Sequence, residues 1–249
     1  MTLVEICVET AQGLAAAKAG GADRVELCAS LDLGGLTPSA GLMRLAAESG
    51  VVARALVRPR SGSFLYDADE IRLIKSDIAA AREFGLAGVA IGAARPDGRL
   101  DRDLMLRLTD RCGAMGKTLH RVFDLTPDPF EALELAIEIG FDRILTSGQA
   151  ASAADGAPLI AQLVRAARGR ITLIAAAGVT ADNAEAILRE TRVRELHASC
   201  RNPMEAAGES RFEAFGFGPP PRPTDAQAAA RLVEAARRFE ADLRDGRNP

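Results

Sequence analysis

The stretch LVEICVETAQGLAAAKAGGADRVELC, residues 3–28, contains the unit from which the fold of this chain can be predicted. Its two ends, LVEICV and RVELC, are short runs of mostly apolar residues, which are typical of buried strands. Between them, TAQGLAAAKAGG is rich in alanine and ends in two glycines, as a helix and its terminus require. A strand, a helix and a second strand in this order predict a parallel βαβ unit.

The same alternation of strand and helix recurs along the chain. Further strand-like runs are VARALV, GVAIG, KTLHRVF, RILTSG, ITLIAAAG and RELHAS, and stretches with helical spacing separate them. Eight such units predict an α/β fold, the closed (β/α)8 TIM barrel. The alternative is a doubly wound open sheet, which usually has a glycine-rich phosphate-binding turn after its first strand. The corresponding sequence here, CVETAQG, is not such a turn.

The amino-acid composition limits the kinds of function that this protein can have. The 249 residues are 48% hydrophobic and 26% charged, with a net charge of −3, which is typical of a globular protein. No basic face and no tryptophan are evident, so we expect no nucleic-acid partner. The N-terminus lacks a basic region of the signal-peptide type, and no long uncharged apolar run occurs. We therefore expect a cytoplasmic protein with no membrane partner.

We expect one domain over residues 1–249, with the barrel over about residues 3–201 and an excursion with a helix over about 202–249. The excursion begins with RNPMEAAGESRFEAFGFGPPPRP, residues 201–223, which is too long for an ordinary loop. We expect it to act as a lid or as a subunit contact. An amphipathic helix over about residues 224–244 follows it.

Polar side chains occupy positions of the strands that should point into the barrel. Side chains alternate between the two faces of a strand. In LVEICV, Val4, Ile6 and Val8 suit the face toward the helices, so Glu5 and Cys7 point inward. The same alternation assigns to the interior Glu26, Cys28, Arg58, His120, Asp124 and His197. For His120 and Asp124, this assumes that KTLHRVFDLT, residues 117–126, continues as one strand.

Two interpretations of this charged interior remain open. The polar groups can form structural ion pairs across the barrel, or they can form a binding site. A site is favoured because barrel enzymes place their chemistry at the C-terminal strand ends. Both histidines of the chain, His120 and His197, also fall on the inward face.

The loops supply candidates for binding an anion. Arg58 and Arg60 in RPRSGSFLY suit bidentate recognition of a carboxylate or phosphate. Ser147 and Gly148 in TSGQAA, with Gly178 in AAGVTADN, offer hydroxyl and backbone N–H groups after the sixth and seventh strands, where this fold often holds phosphate.

As an enzyme, the chain would act on a small polar or anionic substrate. Glu5 or Glu26 would serve as general acid or base, with pKa values moved by burial and by each other. His120, oriented by Asp124, would transfer a proton. Arg58 would bind an anionic group of the substrate, and His197 would stabilise the negative charge that develops during the reaction. Two inward carboxylates also fit glycoside chemistry or a hard divalent ion.

Several motifs together resemble the copper homeostasis family CutC. They are EICVE, GADRVELCASLDLGGLTPSAG, VRPRSGSFLY, HRVFD, LTSG, AAGVTADN and ELHAS, and they cover about residues 3–201. The resemblance implies a (β/α)8 barrel with a pocket at the C-terminal strand ends, and a homodimer or a larger homo-oligomer. It also implies a copper ion as partner, bound as Cu(I) by Cys7 and Cys28, because soft thiolates select Cu(I).

Overall fold

The strand-like runs of the sequence form a closed barrel of eight parallel strands in the computed structural model, which describes residues 2–202, 215–216 and 221–246. The strands are β1 (Leu3–Val8), β2 (Arg24–Leu27), β3 (Ala53–Leu56), β4 (Gly88–Ile91), β5 (Gly116–Leu119), β6 (Arg143–Thr146), β7 (Thr172–Ala175) and β8 (Glu195–Ala198). Each strand pairs with its neighbours in sequence, and β8 pairs with β1. The predicted (β/α)8 barrel is therefore confirmed, and the open sheet is excluded.

Helices follow the strands and surround the barrel. They are α1 (Ala11–Ala19), α2 (Ala40–Ser49), α3 (Ala68–Glu83), α4 (Arg102–Cys112), α5 (Pro129–Ile139), α6 (Ala157–Ala167), α7 (Ala181–Thr191) and α8 (Ala226–Arg244). Short 3-10 helices occupy Leu31–Leu33 and Arg121–Leu125. Helix α8 packs against both α7 and α1, so it fills the last place in the ring of helices. Within the described part of the chain, no helix combines the length and apolarity that a membrane span requires.

The main apolar core lies between the barrel and its helices. Val4, Ile6 and Val8 are fully buried there, as the alternation of LVEICV predicts. Asp67 starts α3 with a capping box, in which its side chain accepts the N–H of Glu70 and Glu70 accepts the N–H of Asp67. This local sequence signal marks the start of α3.

The prediction of one strand over residues 117–126 is wrong. Strand β5 ends at Leu119, and the chain then turns into the 3-10 helix Arg121–Leu125. The His120 ring caps this turn by accepting the N–H of Val122, and the N–H of Phe123 donates to the His120 carbonyl. Val122 and Phe123 then join the core beneath the helices. A buried 3-10 turn and a buried strand both need apolar residues here, so the composition alone favours neither.

The predicted excursion over residues 201–223 lies mostly outside the described residues, which exclude 203–214 and 217–220. Its described ends meet at the rim of the barrel. Arg201 pairs with Thr224 through a β-bridge. Arg201 and Arg222 both bind the carboxylate of Asp32, at 2.9 and 2.7 Å.

Candidate functional site

A cavity of about 670 Å³ opens at the C-terminal ends of the strands. This volume falls within the range of about 300–1,000 Å³ that is usual for small-molecule sites. Its polar and aromatic lining includes Cys7, Glu26, Cys28, Arg58, Phe64, His120, Asp124, His197 and Cys200. Apolar walls come from leucines, among them Leu31, Leu56 and Leu145. Of these polar and aromatic residues, all except Phe64 and Cys200 are among the positions that the sequence analysis assigns to the barrel interior.

Below the cavity, the barrel interior holds a network of buried ion pairs. Arg24 binds Glu5 through Nε, and its Nη2 lies 2.7 Å from Glu195 Oε2. Arg143 Nε lies 2.9 Å from Glu195 Oε1. Arg54 is buried in the same layer and donates to the Thr118 hydroxyl at 2.7 Å. The structural interpretation of the charged interior thus holds for this lower layer.

This layer carries more positive than negative charge. Three arginines, Arg24, Arg54 and Arg143, face the two carboxylates of Glu5 and Glu195. Burial, together with the charges of Arg24 and Arg143, lowers the pKa of Arg54 to about 10. The barrel interior therefore favours negative charge on whatever occupies the cavity above it.

Glu5 and His197 form an ion pair between the lower layer and the cavity. The β1–β8 register sets them side by side, and His197 Nδ1 lies 2.8 Å from Glu5 Oε1. Burial raises the pKa of Glu5, but the His197 hydrogen bond and the Arg24 charge lower it further, so the net shift is downward. Burial lowers the pKa of His197, but its interactions with Cys7, Glu5 and Glu26 raise it well above the usual value. Both shifts favour the ion pair, with Glu5 as the carboxylate and His197 as the imidazolium.

The surroundings of Glu26 shift its pKa in the opposite direction from the pKa of Glu5. Its Oε2 lies 3.9 Å from His197 Nε2, so this pair is not a close hydrogen bond. Burial raises the pKa of Glu26, and the His197 charge lowers it only in part, while the negative charge of Glu5 raises it again. The partners of these two carboxyl groups on adjacent strands therefore move their pKa values in opposite directions.

Cys7 and Cys28 lie together in the cavity wall. They share a small buried cluster with Leu56 and Ala90. The Cys28 thiol donates to Glu26 Oε2 at 3.6 Å. Burial and the negative charge of Glu26 raise the pKa of Cys28 well above the usual value.

Cys200 also lines the cavity, and the sequence reasoning did not include it among the site residues. Burial and the proximity of Cys7 raise its pKa to about 12. Its position two residues after β8 was the available signal. Cys112 lies elsewhere, buried on α4 with its thiol bonded to the Leu108 carbonyl. No group of three or more His, Cys, Asp or Glu side chains in residues 2–202, 215–216 and 221–246 is arranged to hold a metal ion.

His120 lines the cavity, but Asp124 does not orient it as the sequence analysis expects. The carboxylate of Asp124 instead accepts from Arg121 Nε at 2.8 Å, from the Ser147 N–H at 3.0 Å and from the Thr146 hydroxyl. This fixes the turn after β5 to the loop after β6. The His120 ring lies against Phe64, with the ring centroids 4.9 Å apart.

Arg58 reaches the cavity with most of its donors already used. Its Nη1 donates to the carbonyls of Leu33 and Gly35, at 3.0 and 3.1 Å, and its Nη2 donates to the Gly62 carbonyl at 2.9 Å. The guanidinium therefore ties two rim loops together, and the expected bidentate contact with an anion would displace these bonds.

The other anion-binding candidates divide between the cavity and its surroundings. Gly178 lines the cavity. Arg60 instead pairs with Glu70 outside the cavity lining. Ser147 accepts from Arg121 and donates to the Ala150 carbonyl. The Gly148 N–H donates to the Thr146 hydroxyl at 2.9 Å. Arg60, Ser147 and Gly148 thus stabilise loops around the cavity.

Comparison with known proteins gives a consistent result. The sequence model of the CutC family matches residues 2–202. A family protein CutC from Sinorhizobium medicae is 47% identical over 233 residues, covering 94% of this chain and 95% of that protein. One from Caulobacter vibrioides is 48% identical over 237 residues, covering 94% and 97%.

Among solved structures, a candidate copper homeostasis protein CutC from Streptococcus agalactiae matches with a TM-score of 0.77 and 30% identity, covering 80% of this chain and 99% of that one. Phosphoribosylanthranilate isomerase from Thermotoga maritima matches with a TM-score of 0.58 and only 14% identity, so it shows the shared fold alone.

Proposed function

This chain belongs to the CutC family, and from the geometry of its cavity we propose that it is an enzyme that transfers a proton to or from a small anionic organic substrate. The observation that carries the proposal is the buried Glu26 carboxyl in the cavity wall, whose pKa is raised by burial and by the charge of Glu5. A buried carboxyl group with a raised pKa holds its proton to a higher pH than an ordinary glutamate does, so it can serve as a general acid and, after transfer, as a base.

Glu5 and Glu26 take different roles in this proposal. Glu5 remains ionised beside His197 and Arg24, so it holds the imidazolium in place. Glu26 exchanges the proton with the substrate. Pairs of titratable groups whose surroundings move their pKa values apart are the usual mark of acid–base assignments in an active site.

The surrounding charge supports an anionic substrate. The imidazolium of His197 and the excess of arginine in the lower barrel create a positive potential at the cavity floor. Leucines on the cavity wall contact any apolar part of the same molecule. A cavity of about 670 Å³ also accommodates an organic molecule rather than a single ion.

The proposal is tested by following proton exchange. Small carboxylates, phosphates and sugar-like compounds are incubated with the protein in D₂O, and loss of their C–H signals is measured by proton NMR. We expect Glu26→Gln to reduce exchange of an identified substrate about 100-fold or more. Glu134→Gln, a surface substitution that breaks only the ion pair with Arg170, is the matched control and should leave the rate unchanged. Full exchange in Glu26→Gln would remove Glu26 from the mechanism.

A second candidate function is handling of copper as Cu(I), with Cys7 and Cys28 as ligands. The observation that favours it is the shared buried cluster of these two thiols in the cavity wall. Two thiolates suffice for Cu(I), and the resulting complex carries one negative charge, which the neighbouring His197 imidazolium offsets. The cost is deprotonation of Cys28, whose pKa burial and Glu26 raise.

This candidate is tested by anaerobic Cu(I) titration against a competing chelator. We expect one Cu(I) per chain, and loss of that binding when Cys7→Ser and Cys28→Ser are combined. Cys112→Ser is the control, because this thiol lies in the apolar core away from the cavity. Unchanged affinity in the double variant would eliminate these two ligands.

Two further properties belong to the proposal. We propose a cytoplasmic location, which the four free cysteines support because reduced thiols suit that compartment. We propose a homodimer or larger homo-oligomer, which the resemblance to the CutC family supports. Cell fractionation and analytical ultracentrifugation test these two statements.

A further inference from the structure

The His120 ring packs closely against two neighbours. One is Gly92, where an added Cβ would meet His120 Cε1 at 2.8 Å and Nδ1 at 3.0 Å. The other is Phe64, with the ring centroids 4.9 Å apart. His120 is only 3% exposed, so its ring has little room to turn. Which of its nitrogens carries a proton is therefore set by the fixed partners of each one.

Those partners determine the tautomer of His120. The N–H of Val122 donates to Nδ1 at 3.3 Å, so Nδ1 must present its lone pair. In a neutral imidazole the other nitrogen then carries the proton. Nε2 is thus an N–H donor, and it has no hydrogen-bond partner among the residues that the structure describes. A buried donor without a partner is uncommon in folded proteins, and an acceptor placed beside it would be stabilised.

A second donor of the same kind belongs to Arg58, which also contacts Phe64. The Nε of Arg58 is buried and also lacks a partner within the described ranges, although both terminal nitrogens of this side chain are bonded. The guanidinium carbon of Arg58 lies 4.9 Å from the centroid of the Phe64 ring. Arg58, Phe64 and His120 all line the cavity. Phe64 therefore contacts both side chains, and each of them has an N–H donor without a partner in the described residues, one charged and one neutral.

We propose that Arg58 Nε–H and His120 Nε2–H form a subsite for the carboxylate of a small organic acid, with the apolar part of that acid against Phe64 and the cavity leucines. A carboxylate matches this subsite because it is a singly charged, two-oxygen acceptor. This inference rests on the proposed function, since it names the group by which the substrate is held. It assigns His120 to substrate binding instead of proton transfer.

The same geometry excludes His120 as a metal ligand through Nε2. That role would need a lone pair on Nε2 and a proton on Nδ1, where it would oppose the N–H of Val122. Burial and the charge of Arg58 lower the pKa of His120 to about 3, which agrees with a neutral ring.

The tautomer is measurable because the chain has only two histidines. Protein labelled with ¹⁵N-histidine gives long-range ¹H–¹⁵N NMR spectra in which each ring shows its protonation pattern, and His120→Gln assigns the signals. We expect His120 to be the neutral Nε2–H form between about pH 5 and pH 8. A proton on Nδ1, or titration of His120 within this range, would overturn the proposal.

Binding is then measured on the same signals with three probes: pentanoate, pentanamide and inorganic phosphate. We expect pentanoate to shift the His120 Nε2–H resonance saturably, and the other two to bind at least tenfold more weakly. The His120 variants lack these signals, so their affinity for pentanoate is measured by isothermal titration calorimetry. His120→Phe, which keeps a ring but removes the donor, should weaken pentanoate binding at least tenfold, with the His197 signals reporting an intact barrel. His120→Gln, which keeps an N–H donor, should restore part of the affinity.

Absence of a saturable pentanoate shift, or tighter binding of phosphate, would refute the carboxylate subsite. Failure of the subsite and failure of the proposed function are distinguishable. Pentanoate binding that persists in Glu26→Gln supports the subsite whatever that variant does to proton exchange.

Discussion

Arg24→Met should destabilise the barrel by about 3 kcal/mol, at the lower end of the range of about 3–5 kcal/mol for breaking a buried ion pair. Arg24 bonds to both Glu5 and Glu195 with almost no exposure of any of the three side chains. Methionine fills much of the arginine volume, so the loss is chiefly electrostatic.

The magnitude follows from the partners that remain. Glu195 keeps Arg143 at 2.9 Å, and Glu5 keeps His197 at 2.8 Å, so neither carboxylate is left alone. Removal of Arg24 also relieves its repulsion of Arg54. Both effects place the expected cost near 3 kcal/mol rather than 5, which corresponds to a fall in Tm of about 6–12 °C for a chain of this size.

Chemical denaturation and thermal melting at pH 7 measure this cost, with Arg170→Met as the matched control. Arg170 also binds a glutamate, Glu134, but the two side chains are 42% and 57% exposed. An exposed pair of this kind contributes at most about 1 kcal/mol. Equal losses in the two variants, or a loss below 1 kcal/mol for Arg24→Met, would refute the account of the lower layer as a stabilising network.

The pH dependence provides an independent check on the Arg24 prediction. The folded-state pKa of Glu5 is below its ordinary value because the His197 hydrogen bond and the Arg24 charge outweigh burial. A lowered folded-state pKa gives stability that is present above the unfolded-state pKa and is lost as the pH falls. Without Arg24 this stabilisation is smaller, so the difference between wild type and Arg24→Met should shrink as the pH falls below about 4.

Gly92→Ala should cost about 1–3 kcal/mol by overpacking, because the new Cβ would lie 2.6 Å from Val122 Cγ1. It should also shift the His120 ring signals. Gly85→Ala is the comparison variant: its new Cβ would have no neighbour within 4 Å, and its φ is positive, so it shows the effect of backbone strain alone. Unmoved His120 signals in Gly92→Ala would contradict the described packing. Glu26→Gln should become increasingly stable relative to wild type as the pH rises above about 4.3, where glutamate in the unfolded chain ionises. The reason is that the raised folded-state pKa of Glu26 favours the neutral form, so wild type loses stability as the unfolded state releases this proton. Urea titrations from about pH 4 to pH 8 measure the difference, and a constant difference would mean that Glu26 is not shifted.

The sequence alone determined the barrel and the faces of most of its strands. The repeated strand–helix units fix the class of fold, and the alternation in LVEICV assigns Glu5 and Cys7 to the interior, because side-chain direction within a strand is a local property. The turn after Leu119 was not predictable in this way, since its apolar residues are equally compatible with a strand and a buried 3-10 helix.

Only the tertiary structure decided what each inward group meets. Glu5 and Glu26 have the same parity on adjacent strands, but the register sets Glu5 opposite Arg24 and His197. It sets Glu26 opposite Cys7 and Arg54, and the Arg54 guanidinium donates to the Thr118 hydroxyl. Glu5 becomes part of a buried ion pair, and Glu26 has a raised pKa at the cavity wall. Likewise, carbonyls of Leu33, Gly35 and Gly62 occupy the ends of the Arg58 side chain and leave Nε without a partner in the described residues. The physical reason is that a residue's own sequence sets the direction of its side chain, whereas strand register and barrel closure set its neighbours.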